Sequence, residues 1–201
     1  RIGFVASATL EIVPAIALAF RRQYPGVDLQ LKNLPTVQQV EALRNGTLDA
    51  GFLRMPLDED GLAVTLIHRE PFALVLAKSH RLARGKAPAL EEFAQEPFIA
   101  YGRRWAPSFY DVWTGICQKA GFVPRVVQET AEMSTALALV AAGLGVAILP
   151  EGITRAHRRL VSVKVLEHEK IRSEIGIATL ATGLTTLLQH LIATAKQVIL
   201  R

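Results

Sequence analysis

Three polar residues stand where predicted strands end or predicted helices begin. Ser7 follows the apolar run 2–5, Thr36 opens a helical pattern, and Arg54 closes another apolar run. The carboxyl ends of parallel strands meet at one edge of a sheet, so we expect these three side chains to converge there. Two hydroxyls, a guanidinium and unpaired backbone N–H groups at a helix start are groups that bind a carboxylate. The spacing therefore predicts a site for a small anion.

The turn after the first strand is expected to supply the backbone donors of this site. Pro14 has no N–H and fits only the first turn of a helix, so the first helix is predicted to begin within residues 9–13. Ser7 and Ala8 would then lie in a short turn with unpaired N–H groups, and Ser7 would be the first contact of a ligand's negative end.

Each of these residues also has a purely structural interpretation. Ser7 suits a tight turn or a helix cap, and Thr36 with Gln39 has the spacing of a capping box. Arg54 can pair with an acid such as Asp58 without touching a ligand. The prediction of a binding site therefore depends on the convergence of the residues at one edge and not on any one of them.

An alternation of strands and helices must position these side chains. The first half gives strands at 2–5, 28–31 and 48–53, with helices at 10–24 and 36–44, the latter stopped by Asn45-Gly46. Strands at 63–67 and 72–77 and a polar loop at 78–89 follow. The pattern then restarts with strands 98–101, 125–128 and 146–149 around helices 107–120 and 132–142, and ends with strands 161–166 and 174–180 and a helix at 184–199.

Such alternation predicts an α/β fold of parallel strands covered by helices. The restart in mid-chain predicts two lobes of about 100 residues each, a usual domain size. In such folds ligands bind at the carboxyl ends of the strands, and a cleft between the lobes is the expected place.

Composition and charge exclude several classes of protein. The chain has 201 residues, 50% of them hydrophobic, and can bury one or two cores. Its net charge of +5 favours an anionic small molecule, whereas the scattered basic pairs at 21–22, 103–104 and 158–159 are typical of solvated surface rather than a nucleic-acid contact. The apolar run 133–150 contains glycines and a proline and predicts helix, turn and strand rather than a membrane span. The first residue is not Met and lies in a strand, so we expect a fragment of a longer protein.

The residues of metal and catalytic sites are missing from the pattern. The lone Cys117 lies on an apolar helical stripe, which predicts a core thiol, and a single reduced thiol fits the cytoplasm. The sequence has no P-loop, dinucleotide fingerprint or nucleophile elbow, so we expect no cofactor and no enzyme. No metal-ligand spacing relates the histidines, which are His68, His80, His157, His168 and His190.

Several stretches of the chain resemble one family. RIGFVAS, VPAIALAFRRQYPGVDLQL, VEALRNGTLDAGFLR, LIHREPFALVLAKSHRLA and GLGVAILP together resemble the effector-binding (co-inducer-binding) domain of LysR-type transcriptional regulators, over essentially the whole chain. RIGFV-x-S, T-x-x-Q-x-EAL and DAGF-x-R are similar to the regulators of benzoate, catechol and chlorocatechol breakdown.

The resemblance implies an architecture and partners. It implies two Rossmann-like lobes of type 2 periplasmic-binding-protein architecture joined by two crossover segments, with lobe I at 1–69 and 170–201 and lobe II at 70–169. It also implies an N-terminal winged helix-turn-helix DNA-binding domain that is absent from this chain. These domains pair antiparallel in the family and the full-length proteins are usually tetramers, so self-association is expected, with DNA bound only through the missing domain and no membrane partner.

The resemblance also implies a pocket between the lobes. It assigns Ser7, Thr36 and Arg54 to the wall from lobe I, to which the turn argument adds Ala8. The matching wall in lobe II consists of Tyr101, Phe109 and Pro150. The two aromatic rings would suit an aromatic or unsaturated ligand, although Phe109 also heads an apolar stripe and would then be core.

The function that these observations predict is that of a ligand-sensing module. A small carboxylate, with aromatic and dienoic acids as candidates, would bind between the lobes, change their relative pose and so change the arrangement of subunits on DNA. Two alternatives use the same fold: a solute-binding protein of a transporter, and an enzyme with its active site in the cleft.

Overall fold

The computed structural model of the chain describes residues 1–10, 12–85, 88–167 and 170–199. The parts of the predictions that fall on Glu11, on residues 86–87 of the polar loop, on His168 and Glu169, and on residues 200–201 lie outside the described residues. The chain divides into two compact units. The first unit is Arg1–Arg69 with Glu174–Arg201, and the second unit is Glu70–Ser173.

The elements follow the predicted alternation of strands and helices. In chain order they are β1 Ile2–Phe4, α1 Ile12–Gln23, β2 Leu31–Asn33, α2 Thr36–Arg44, β3 Ala50–Arg54, β4 Leu62–Glu70, β5 Phe72–Ala77, β6 Pro97–Tyr101, α3 Pro107–Lys119, β7 Arg125–Thr130, α4 Met133–Ala141, β8 Ala147–Pro150, α5 Glu151–Arg155, β9 Val161–Val165, β10 Ser173–Leu180 and α6 Thr186–Ile199. Short 3₁₀ turns lie at Ala6–Ala8 and Leu90–Phe93.

The first unit is built on a sheet with helices on both faces. Its strand order is β2-β1-β3-β10-β4, with β1 parallel to both neighbours and β10 antiparallel to β3. Phe52 and Ile177 pack with α1 and α6, whereas their chain neighbours Leu53 and Ala178 pack with α2. Adjacent strand residues face opposite sides, so this division places α2 on one face and the α1–α6 pair on the other.

The second unit contains an antiparallel sheet and a parallel strand pair around one aromatic core. The strand orders are β8-β5-β9 and β6-β7, and a bridge between Phe98 and Val146 connects them. The rings of Phe98 and Trp113 stack in this core with centroids 6.2 Å apart. Cys117 is buried there as predicted, and burial raises the pKa of its thiol to about 12.

Several features of the fold differ from the prediction. The strands are not all parallel, since β10 runs antiparallel to β3 and β5 runs antiparallel to β8 and β9; alternation along the chain does not specify which strands become neighbours. The second strand is β2 at Leu31–Asn33, not 28–31, because Ile2 pairs with Leu31 and all three residues of this edge strand are exposed. An exposed edge strand shows no alternation of burial by which its register can be read. Helix α5 was not predicted, since five residues are too few to show a helical period.

The apolar run 133–150 folds as predicted into α4, a turn and β8. In the described part of the chain, no helix has the length and apolar character needed to cross a membrane.

Candidate functional site

Hydrogen bonds join the three residues predicted to converge at the strand ends. Nη2 of Arg54, the last residue of β3, donates to Oγ of Ser7 at 2.8 Å. The backbone N–H of Arg54 donates to Oγ1 of Thr36 at 3.3 Å. Arg54 is 2% exposed and Thr36 5% exposed, so both side chains are buried, and Ser7 is partly buried. We call Ser7, Thr36 and Arg54 the arginine cluster.

The arginine cluster combines a permanent positive charge with two hydroxyls. A guanidinium stays protonated at every physiological pH and presents its donors as a planar fork that matches a carboxylate. Each hydroxyl can donate through its O–H and accept through its lone pairs, and its hydrogen rotates to suit the partner. This combination of groups can bind an anion, and the three side chains include no carboxylate, imidazole or thiol.

The capping-box interpretation of Thr36 is wrong. The N-cap of α2 is Pro35, with φ −65° and ψ 158°, and no side chain caps the helix. Thr36 is the first helical residue, and its hydroxyl oxygen faces the end of β3 instead of the N–H groups of its own helix. The Gln39 amide likewise bonds elsewhere, donating from Nε2 to the carbonyl of Leu34 at 2.8 Å and to that of Phe52 at 3.2 Å.

The expectation of free backbone donors after β1 also needs correction. Residues Ala6–Ala8 form a 3₁₀ turn in which the N–H of Ala8 donates to the carbonyl of Val5 at 2.9 Å. The N–H of Thr9 donates to the carbonyl of Ala6 at 3.1 Å, and the Thr9 hydroxyl donates to the same oxygen. The Ala8 side chain is 0% exposed in the core of the first unit. The turn thus uses the N–H groups of Ala8 and Thr9 internally, and the case for anion binding depends on the side chains.

The residues predicted for the second wall lie together in the second unit. The rings of Tyr101 and Phe109 meet edge to face with centroids 6.3 Å apart, and Phe109 lies 5.8 Å from the ring of Phe72. Pro150 pairs with Phe72 in the β5–β8 ladder. Phe109 is 1% exposed, so packing in the core accounts for most of its surface, as the structural interpretation expected.

The basic loop after β6 is tied to its own unit. Nε and Nη2 of Arg103 donate to the two carboxylate oxygens of Asp111 at 3.1 and 2.9 Å. The guanidinium of Arg104 lies 4.8 Å from the ring centre of Trp105, a cation–π distance. Both side chains of the pair therefore have partners within the second unit.

A further concave region lies at the opposite end of the strands of the first unit. This cavity of about 400 Å³ is lined largely by aliphatic side chains near the starts of β1 and β3, including Ile2 and Leu48. Arg1 and Asp49 form an ion pair at its lining, and the hydrogen bond from Arg1 lowers the pKa of Asp49 to about 2. The arginine cluster is not part of this lining.

Metal ligands do not gather in the part of the chain that the structure describes. Among those residues, no three or more His, Cys, Asp or Glu side chains are grouped so that they could hold an ion.

Comparisons with known proteins agree with the resemblance noted in the sequence. The sequence profile described as "LysR substrate binding domain" matches residues 1–199. The HTH-type transcriptional regulator AlsR of Bacillus subtilis is 30% identical over 191 residues, which are 95% of this chain and 63% of AlsR. The regulator TfdS of Cupriavidus pinatubonensis is 29% identical over 196 residues, 98% of this chain and 66% of TfdS. The chain thus spans just under two thirds of the length of these relatives.

The fold is also found in solved structures. The BenM effector-binding domain with its effector benzoate superimposes with a TM-score of 0.84 at 28% identity, covering 98% of this chain and 90% of that one. The α/β architecture of this chain is that of type 2 periplasmic binding proteins. The chain belongs to the LysR substrate-binding domain family.

Proposed function

We propose that this chain is the effector-sensing domain of a LysR-type transcriptional regulator and that it binds a small carboxylate at the arginine cluster. The observation that carries the proposal is the pair of hydrogen bonds from Arg54, one to Ser7 and one to Thr36. They gather a cation and two hydroxyls at the ends of β1 and β3. The relatives named as transcriptional regulators favour this function over solute transport or catalysis.

A carboxylate is the ligand class that the chemistry of the cluster favours. An approaching carboxylate would accept from the guanidinium of Arg54 and from the Ser7 and Thr36 hydroxyls, and hydrogen bonds to charged groups contribute about 1.5–3 kcal/mol each. Benzoate, the effector in the BenM relative, is an aromatic carboxylate. In this proposal the remaining part of an aromatic or dienoic effector lies in the cleft expected between the lobes, against Tyr101, Phe109 and Pro150.

Signalling would operate by a shift in populations. An effector that binds one pose of the lobes about tenfold better than another biases the equilibrium by about 1.4 kcal/mol, and the pose would set the arrangement of subunits. The DNA-binding heads of the longer protein would respond to that arrangement. Self-association of this domain, tetramers of the full-length protein and action in the cytoplasm belong to the same proposal.

A ligand screen combined with a double variant tests the proposed site. We expect benzoate, a hydroxybenzoate or cis,cis-muconate to raise the melting temperature by roughly 5–10 °C at about 100 times Kd, because a ligand that binds only the folded state stabilises it. Ser7→Ala with Thr36→Ala should lower the calorimetric affinity at least about tenfold. Ser79→Ala with Thr182→Ala, both exposed, is the matched control.

Two results would contradict the proposal. One is the lack of binding by any carboxylate in the screen. The other is an unchanged affinity in a folded Ser7→Ala, Thr36→Ala protein.

A further inference from the structure

We infer that Gln39 is a positioning residue: its buried amide clamps the start of α2 to the end of β3 and so sets the spacing of Thr36 and Arg54. The inference deepens the proposed function and rests on it only where it concerns ligand affinity. Gln39 lies about one helical turn after Thr36 and is 0% exposed.

The two donor bonds of the Gln39 amide reach the segments on which the arginine cluster depends. One bond, of 2.8 Å, ends on the carbonyl of Leu34, directly before the N-cap of α2. The other, of 3.2 Å, ends on the carbonyl of Phe52, two residues before Arg54 on β3. The Phe52 carbonyl also accepts from the N–H of Val5 at 3.0 Å, so the same oxygen connects the end of β1. The side chain thus bonds to two segments that precede Thr36 and Arg54, and the Phe52 oxygen connects the second of them to the residue that follows β1.

Two glycines make this placement of the amide possible. Gly3 of β1 and Gly51 of β3 are paired directly across the sheet. A Cβ added to Gly51 would lie 2.5 Å from Oε1 of Gln39, and one added to Gly3 would lie 2.9 Å from the same atom. Neither glycine has positive φ, so close approach and not backbone freedom explains why glycine stands at both positions. The Oε1 atom thus lies in the space that a Cβ at either position would need.

The burial of Oε1 indicates that the amide is there for its donor bonds. Within the described residues, Oε1 has no hydrogen-bond donor, and a buried acceptor without a donor is unfavourable. An apolar side chain of the same length would fill this space without that penalty. The benefit that compensates for it is the pair of bonds to Leu34 and Phe52.

The bond from Gln39 to Phe52 joins the same two elements, α2 and β3, as the hydrogen bond between Arg54 and Thr36. The Arg54 N–H donates across 3.3 Å to Thr36 Oγ1, a long distance for such a bond. A small shift of the first turn of α2 away from β3 would break it. Loss of the Gln39 clamp should therefore weaken this contact first and the affinity for a carboxylate as a consequence.

Amide exchange of the ligand-free chain tests the clamp directly. Gln39→Met keeps the length of the side chain and removes its hydrogen bonds, and Gln38→Met on the exposed side of the same helix is the matched control. We expect the Arg54 N–H, followed by NMR, to exchange at least about tenfold faster in Gln39→Met but not in Gln38→Met, relative to other amides of the same sheet. Equal protection of the Arg54 N–H in the two variants would overturn the inference.

A second comparison separates positioning from general stability. Gln39→Ala leaves a void, which Gly51→Ala partly fills, so the double variant should recover part of the melting temperature lost by Gln39→Ala. Its affinity for benzoate, measured by calorimetry, should stay about tenfold below wild type because the clamp is still missing. If affinity recovers together with melting temperature, Gln39 only fills space. If benzoate affinity is unaffected by Ser7→Ala with Thr36→Ala, the proposed function fails, while the exchange result still decides the clamp.

Discussion

Replacing Thr36 by Val tests which group the Thr36 hydroxyl serves. The change keeps the branched shape and removes only the hydroxyl from a buried side chain. In the structure the hydroxyl oxygen accepts from the backbone N–H of Arg54 at 3.3 Å, while Pro35 is the N-cap of α2. Thr36→Val should therefore deprive the end of β3 of an acceptor and leave the cap of α2 unaffected.

The expected loss of stability follows from the cost of an unsatisfied buried donor. Such a group costs about 1–3 kcal/mol, and the 3.3 Å distance is long for an N–H···O bond, which favours the lower part of that range. We expect about 1–2 kcal/mol. For a chain of this size that is a fall in melting temperature of roughly 2–8 °C. Thr36→Ser keeps the hydroxyl and should fall by less.

The location of the effect distinguishes the two roles of the hydroxyl. If it serves β3, NMR-detected exchange in Thr36→Val accelerates at the Arg54 N–H and is unchanged in Thr36→Ser. If it caps α2, exchange accelerates at the first N–H groups of the helix, at Gln38 and Gln39. Faster exchange at the helix start with an unchanged Arg54 N–H would refute the reasoning about the arginine cluster.

Three other predictions concern the cores and the ion pair of Arg1. Cys117 should resist iodoacetamide in the native protein at pH 8 and react only on unfolding, because burial raises the pKa of its thiol to about 12; labelling of the folded chain detected by mass spectrometry would contradict this. Phe109→Ala should lower the free energy of unfolding, measured by urea titration, by about 3–5 kcal/mol, because the ring is buried beside Phe72 and Tyr101. A loss below about 1 kcal/mol would mean that the ring is not part of the core. The pKa of Asp49 is depressed to about 2, so its contribution to stability is present above about pH 4 and is lost as pH falls through 2. Asp49→Asn should therefore reduce the loss of stability between about pH 4 and about pH 2. An unchanged loss in the variant would exclude the Arg1–Asp49 ion pair as its source.

Elements with strong local signals were predicted well from the sequence. Helix α2 at Thr36–Arg44 matches the predicted range, because its apolar spacing is regular and Asn45-Gly46 ends it with Gly46 at φ +70°. Strand β5 at Phe72–Ala77 also matches, because a run of six apolar residues directly after Pro71 defines where the strand begins and ends. The edge strand β2 and the short helix α5 lack such signals, and their places depend on contacts with distant parts of the chain.

The convergence of three candidate residues was predictable from the sequence, but the hydrogen bonds among them were not. The rule that parallel strand ends share an edge brought Ser7, Thr36 and Arg54 together, and the structure places them in hydrogen-bond contact. The pattern T-x-x-Q at a helix start has two physical meanings, a capping box or a link to the sheet. The local sequence does not distinguish them, because the room for the Gln39 amide on the sheet depends on Gly3 and Gly51, which lie far from Thr36 in the chain.

Several polar groups around the arginine cluster already have hydrogen-bond partners within the protein. The 3₁₀ turn uses the N–H groups of Ala8 and Thr9, and Thr36 Oγ1 accepts from the backbone of Arg54. Within the cluster the positive charge resides on the Arg54 guanidinium, and the two hydroxyls are uncharged hydrogen-bonding groups. In the proposed site, Arg54 would attract the carboxylate, Ser7 and Thr36 would orient it, and the Gln39 amide would hold the start of α2 and the end of β3 in place. If the cluster binds only the anionic group, as proposed, selection among carboxylates would come from the shape of the rest of the ligand.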